Sequence, residues 1–365
     1  MDFFCSLSRL LSPRFPKTPY NCTMVNQDSH QPPNQKSSLG EFDLIEHFFK
    51  QSPNSLLATS QNPWVKLGIG DDCALLGNWA ISTDMLVEGR HFLPNANPEW
   101  LGHKCLAVNL SDLAAMGAKP VAFTLSLALP EVREEWLEKF SKGLFALADQ
   151  YQCSLIGGDT TAGSLTISIT VFGQVDSALA LRRSGAKAGD DIWVSHCVGD
   201  ARLALGYYRN EWPLSEIELA DVAPRMHAPT PRVELGMALI GHAHAAIDIS
   251  DGLLGDLAHI LRASNVSADI KVDQIPASSV LANKSLELKR LCTLNGGDDY
   301  ELCFTAPITE RDWIEKTTQA MRLNTKRIGK IKKREDSLMN LLDKDGDTLP
   351  KELQDQYLKS FDHFK

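Results

Sequence analysis

NPEWLGHKCLAVNLSDLAAMGAKPVAFTLSLAL (residues 97–129) is the stretch that decides the architecture. Asn97 is a helix N-cap with proline at the first turn behind it, and Gly117 is a terminator, so a helix is predicted over 97–117. In VAFTLSLAL (121–129), Val121, Phe123, Leu125, Leu127 and Leu129 alternate with small or polar residues, the period of a half-buried strand. An amphipathic helix follows, with Trp136, Phe140, Leu144 and Leu147 on one face. A short strand then runs into GGDTT (157–161), and LTISITVFGQV (165–175) alternates again. Strands that alternate, rather than running uniformly apolar, predict an α/β (α+β) chain whose sheet carries helices on one face, not a doubly wound parallel sheet.

The length of 365 residues suggests roughly two domains. Residues 1–39, rich in Pro, Ser, Asn and Gln without periodicity, read as a disordered N-terminal extension, with Met24 as an alternative start. SGAKAGDD (184–191) reads as the boundary between a domain over 40–184 and a second over 185–365. In the second, strands are expected at Ile192–Ser195, in AAIDIS (245–250), near 268–272, in DYELCFTA (299–306) and in RIGKI (327–331). Helices are expected from about Asp200, behind Thr230 and Pro231 as a cap, and along SDGLLGDLAHILRAS (250–264). The 37 basic against 46 acidic residues give a formal charge of −9 and no basic patch, which argues against a nucleic-acid partner. No apolar run reaches the roughly 18 residues of a membrane span. Eight scattered cysteines without a CxxC pair read as reduced thiols, hence a cytoplasmic protein.

Acidic, glycine-flanked motifs recur: GIGDDCALL (68–76), STDMLVEGRHF (82–92), NLSDLAAMGA (109–118), GGDTT (157–161), DISDGL (248–253) and NGGDDYEL (295–302). Oxygen-only clusters of this kind suit Mg²⁺, which bridges to substrate phosphates and lets an acidic protein bind an acidic ligand. In DISDGL, Asp248 and Ser250 end a strand while Asp251 and Gly252 open a helix whose first N–H groups favour phosphate. The same residues read equally as a plain N-cap. GIGDD and GGDTT are also ordinary turn sequences, and AGDD at 188–191 has nearly the same letters. Asp112, inside an apolar helix, faces either solvent or a cation. Arg183 reads as a phosphate clamp or a surface arginine, and His91 as a ligand contact or a packing residue. There is no GxxxxGK[ST] loop, protein-kinase signature, GxSxG or HExxH.

In this order, and with RSGAKAGD (183–190) and a closing FDHF (361–364), the motifs resemble the thiamine-monophosphate kinases, from about Gly40 to the C-terminus. The resemblance implies ATP-dependent phosphorylation of thiamine monophosphate to thiamine diphosphate, and a two-domain aminoimidazole ribonucleotide synthetase-like fold. It also implies a homodimer through a β-barrel built by the N-terminal domains. By that resemblance Asp72, Ser82, Thr83, Asp84, Asp112 and Asp159 hold Mg²⁺, with Asp248 and Asp251 adding contacts. Arg183, Ser250 and the Gly158–Asp159 turn contact ATP, and His91, Asp298 and Phe361 meet the thiamine phosphate. Two positions depart from the family pattern: Asp298 stands where glutamate is usual, and Phe361 where tyrosine or tryptophan is common.

The acceptor is itself a phosphate with a second pKa of about 6, so no general base is needed and direct in-line transfer without a phosphoenzyme is expected. Three rivals are a sibling ATP-using enzyme with another acceptor, a metal-dependent phosphohydrolase and a non-catalytic nucleotide-binding regulator. Selenophosphate synthesis would want a reactive cysteine in a glycine-rich loop, which neither Cys5 nor Cys22 has.

Overall fold

The computed structural model describes residue 40 and residues 44–50 and 62–358. A π-helical turn, Ile45–Lys50, precedes the main body. The first part runs β1 (Val65–Leu67), β2 (Ala74–Leu76), β3 (Trp79–Val87), α1 (Pro98–Ala115), β4 (Lys119–Leu129), α2 (Glu134–Gln150), β5 (Ser154–Ala162) and β6 (Thr166–Gln174). These strands form one sheet in the order β1-β2-β3-β6-β4-β5, antiparallel except for the β4–β5 pair. Alternation sets its faces: in β6 the residues Ile167, Ile169 and Val171 are buried under α1 while their neighbours are not. In β4 the expected parity holds for Phe123, Leu127 and Leu129, and an irregularity between Pro120 and Ala122 shifts Val121 out of it.

The second part runs β7 (Asp191–Val194), α3 (Asp200–Tyr208), α4 (Glu216–His227), α5 (Val233–Ala238), β8 (Ala245–Asp248), α6 (Leu253–Ala263) and β9 (Val266–Lys271). It continues with α7 (Ser279–Ala282), α8 (Leu286–Asn295), β10 (Leu302–Ala306), α9 (Arg311–Ala320), β11 (Lys326–Lys333), β12 (Met339–Leu342) and α10 (Lys351–Tyr357). Its sheet has the order β12-β9-β11-β7-β10-β8, with only β9–β12 parallel. Unlike the first sheet, this one is covered on both faces. Every residue of β7, β8 and β10 is buried. Trp193, Ala246 and Phe304 join the core around α1, whereas Ile192, Val194, Ile247 and Cys303 join a second core with α6. One apolar core therefore reaches from β6 of the first sheet to β10 of the second.

Two local expectations change. The helix expected behind Thr230 starts at Val233, with Arg232 at the N-cap and no side-chain cap, and the Arg232 side chain reaches the buried carboxylate of Glu301. GGDTT is not a turn but part of β5, an edge strand with every residue exposed.

Helix α1 carries the fold. Thirteen of its eighteen residues are buried, and it packs on α2, α5, β3, β6 and β8. Asn97 caps it through Oδ1, accepting from Glu99 and Trp100 N–H at 2.9 and 3.3 Å. Its contact with α2 is backbone to backbone: a Cβ on Gly102 would lie 2.0 Å from the Phe140 carbonyl oxygen, and one on Gly143 would lie 1.8 Å from that of Glu99. Gly143→Ala is expected to destabilise the protein by on the order of 1–3 kcal/mol through overpacking, although alanine is the better helix former. Urea denaturation checks this; an unchanged or raised midpoint would mean that the two helices separate at no cost.

Candidate active site

Asp72, Asp112 and Asp248 present carboxylate oxygens that lie within 4.8 Å of one another. They arrive from three places: the turn before β2, the last part of α1 and the end of β8. NLSD is the organising segment. Asn109 Oδ1 accepts the Asp84 N–H at 3.1 Å, Ser111 Oγ donates to Asp248 Oδ2 at 2.7 Å, and Asp112 Oδ2 accepts the Ser82 hydroxyl at 2.5 Å. Positions 109 and 112, one helical turn apart, thus face β3, while 111 faces β8. The question of which way Asp112 points is settled: inward.

One cation partly balances the group. Arg183 donates to Asp72 Oδ1 through Nη2 at 2.7 Å and Nε at 3.2 Å, and its backbone N–H is held by Asp71 Oδ1 at 3.0 Å. The other Asp72 oxygen, Oδ2, is buried without a hydrogen-bond partner. Burial and the neighbouring carboxylates hold Asp112, Asp248 and Asp71 towards their neutral forms. Asp112 is pushed well above the usual range by burial and by Asp84, Asp248 and Asp72. Asp248 is raised to about 8 by burial and Asp72, and Asp71 to about 6 by the same two causes.

The cluster opens onto a cavity of about 330 Å³ lined by Asp84, Asp112, Asp248, Ser250 and Asp251 among others. A smaller apolar chamber adjoins it, walled by Phe92, Leu93, Trp100, Leu101 and Met226. His91 and Asp298 line both. His91 Nδ1 accepts the Val87 N–H at 3.0 Å, which fixes the ring over its own turn. Asp298 sits at φ +70°, its carboxylate held by Lys104 Nζ at 2.5 Å and the Tyr300 hydroxyl at 3.0 Å. Lys104 is 4% exposed and also donates to the Met226 carbonyl at 2.9 Å, so one buried ammonium ties α1 to α4 and to the Asp298 turn.

The structure therefore brings together Asp72, Ser82, Asp84, Asp112, Arg183, Asp248, Ser250, Asp251, His91 and Asp298. It does not bring in Thr83 or Asp159. Across the sheet Asp84 shares a row with Ile169, Leu125 and Gly158, whereas Asp159 lies one residue on, in the row of Ser126, Ser168 and Met85. With a period of two that places Asp159 on the open face, where Thr83 also lies, hydrogen-bonded to Thr170. Gly158 shares the parity of Asp84 but stands three strand spacings away, about 14 Å. Phe361 lies outside the described residues.

The helix start in DISDGL differs from expectation. Its amides are not open to phosphate: Asp256 Oδ2 accepts the N–H groups of Ser250, Asp251 and Gly252 at 3.1, 3.2 and 3.1 Å. Gly252, at φ +118°, is the N-cap that turns these amides inward. Sequence reasoning missed Asp256, Asp71 and Lys104. Only Lys104 carried a readable signal, as the one basic residue in the apolar run from Leu101 to Leu110 apart from His103. NGGDDYEL also divides its labour. Asp298 faces the cleft, Asp299 accepts the Gly199 N–H at the start of α3, and Glu301 pairs with Arg232 and Ser195.

Two domain families match in succession: the N-terminal domain of AIR synthase related proteins over residues 70–175, and their C-terminal domain over 187–339. The thiamine-monophosphate kinase of Haemophilus influenzae is 43% identical over 342 residues, covering 90% of this chain and 99% of that protein. The crystal structure of thiamine-monophosphate kinase from Stenotrophomonas maltophilia superimposes with a TM-score of 0.70 at 43% identity, over 85% of this chain and 98% of that one. AaThiL complexed with AMPPCP and TMP superimposes at 0.71, with 29% identity over 89% and 97%. With 43% identity over nine-tenths of its length, the chain belongs to the thiamine-monophosphate kinase family.

Proposed function

We propose that the chain transfers a phosphoryl group from ATP to thiamine monophosphate, giving thiamine diphosphate and ADP, with Mg²⁺ held at the acidic end of the cleft. The observation that carries this reading is the trio Asp72, Asp112 and Asp248, with one buried oxygen of Asp72 unpartnered, at the mouth of a cavity that continues into an apolar chamber. Hard carboxylate oxygens facing one another fit Mg²⁺. Asp84 and Asp251 on the cavity wall extend the donor set, and Ser82 fixes the orientation of Asp112. Bound there, Mg²⁺ would neutralise the polyphosphate and the developing charge in transfer.

The protein's own groups do the remaining work. Ser250 lies where ATP oxygens meet the cavity, and Arg183 balances Asp72 beside it. The apolar chamber, with Trp100 stacked on His227 at 5.4 Å, takes the rings of the acceptor, and His91 and Asp298 stand where rings give way to phosphate. An oxygen of the acceptor phosphate forms the new bond to the γ-phosphorus of ATP as the bond to the ADP oxygen breaks. The acceptor is already ionised near neutral pH, so no side chain has to take a proton.

Thr83 and Asp159, on the open face of the first sheet, and Gly158, about 14 Å from Asp84, stay outside the metal and nucleotide set in this reading. The open face of that sheet, with Trp79 and Met85 exposed, supports a homodimer. The division into domains at about residue 184 and a cytoplasmic location belong to the same proposal. Among the described residues no helix is long and apolar enough to cross a membrane.

The test is product formation from thiamine monophosphate and ATP, with Mg²⁺ and with a chelator. Mg²⁺-dependent thiamine diphosphate, matched one-for-one by ADP, is expected. Release of inorganic phosphate without acceptor would mark a hydrolase instead. Asp72→Asn and Asp112→Asn are each expected to lower turnover at least about a hundredfold while circular dichroism is unchanged, since each removes charge stabilisation aimed at the transition state. Near-normal turnover in either would take that residue out of the metal site.

The metal-free protein should also show a pH signature. A carboxyl whose pKa is raised in the folded state costs stability as pH rises from its ordinary value of 3.8 towards, for Asp248, about 8. Asp248→Asn cannot ionise, so in the presence of chelator it should gain on the wild type steadily across that range. A pH-independent difference between their denaturation midpoints would show that Asp248 is ionised in the fold throughout.

A further inference from the structure

The two chambers of the cleft meet at a waist whose residues line both: Arg90, His91, Leu205, Arg209 and Asp298. Two arginines line it, one from each of the two parts of the fold. Arg90 lies in the turn after β3, held by its N–H to the Val87 carbonyl at 3.1 Å. Arg209 is the C-cap of α3, held by its N–H to the Leu205 carbonyl at 2.9 Å. No ion pair or hydrogen bond from the Arg209 guanidinium is found among the described residues, and its side chain is exposed to the cleft mouth. Arg202, the other arginine of the acidic chamber, is paired with Glu211 at 2.5 Å and lies over Trp212 at 4.7 Å. The waist acid, Asp298, is already neutralised by Lys104.

We propose that Arg90 and Arg209 form a cationic collar that grips the phosphate of the acceptor, so that a phosphorylated thiamine, and not thiamine, is seated for transfer. The proposal rests on the functional reading above and adds to it the residues that recognise the acceptor's charge. The physical need is plain. With its rings in the apolar chamber, the acceptor must carry a phosphate dianion through the waist towards a chamber walled by aspartates. Metal ions offset that repulsion only inside the acidic chamber. At the waist the counter-charge has to come from side chains, and guanidinium forks are suited to phosphate oxygens.

Arg90→Gln, Arg209→Gln and the double variant, made in the full-length chain, test this by steady-state kinetics with each substrate varied, together with calorimetric binding of unphosphorylated thiamine. For each single variant the KM for thiamine monophosphate is expected to rise on the order of tenfold, and further in the double, the scale of a lost charge-assisted contact. The KM for ATP and the affinity for thiamine should stay within about twofold, and Arg209→Lys should recover part of the loss. Three results would overturn the collar: an unchanged KM for thiamine monophosphate in the double variant, a parallel loss of thiamine binding, or a rise confined to the KM for ATP. A wild-type protein that makes no thiamine diphosphate would instead remove the functional reading, and the collar with it.

Discussion

Like charges held together in a dry place are the constraint around which this molecule is arranged. Carboxylate oxygens of Asp72, Asp112 and Asp248 sit within 4.8 Å of one another, two of these residues buried, with the Arg183 guanidinium in contact with Asp72. Separated from water, such a group favours its own dispersal unless protons or cations share it. The fold resists dispersal by mounting each carboxylate on a different rigid element and tying each down by a separate hydroxyl or guanidinium. Such mutual repulsion is what the proposed Mg²⁺ would relieve.

Helix α1 supplies the rigidity. Buried along most of its length, it touches both sheets and is pressed against α2 at glycines where no side chain fits. The polar residues that break its apolar run hold other elements in place: Lys104 reaches the Asp298 turn, Asn109 and Asp112 engage β3, and Ser111 engages β8. The continuous core from Ile167 to Phe304 keeps these partners in register. Both ends of the cleft, the Asp298 turn at one and Asp112 with Asp248 at the other, are therefore tied to the same helix.

Much of this was legible before any coordinates. Asn97 caps α1 as its letters require, the strand parities of β4 and β6 follow from alternation, and the mostly antiparallel first sheet follows from strands that are only half apolar. The acidic motifs named nearly every carboxylate that reaches the cleft. What escaped was pairing between distant side chains. Asp256 looks like an ordinary helix residue, yet it takes the amides that the motif seemed to offer to phosphate. Asp298, Asp299 and Glu301 are neighbours in one motif with three different partners. Thr83 and Asp159 carry the right atoms but lie on the other face of the sheet from Asp84.

By itself the sequence determined local matters: helix starts, strand parity, the absence of a P-loop, and a stock of oxygen donors suited to a hard cation. These depend on residues within a turn or two of one another, and short-range sterics and hydrogen bonding suffice for them. Only the tertiary structure decided which donors converge and which face away, that Arg90 and Arg209 line one waist, and which acid is already taken by a backbone amide. Those outcomes hang on strand register and on how α1 seats between two sheets. A shift of one residue in a strand moves a carboxylate from the site to the opposite face, and no local pattern encodes that choice.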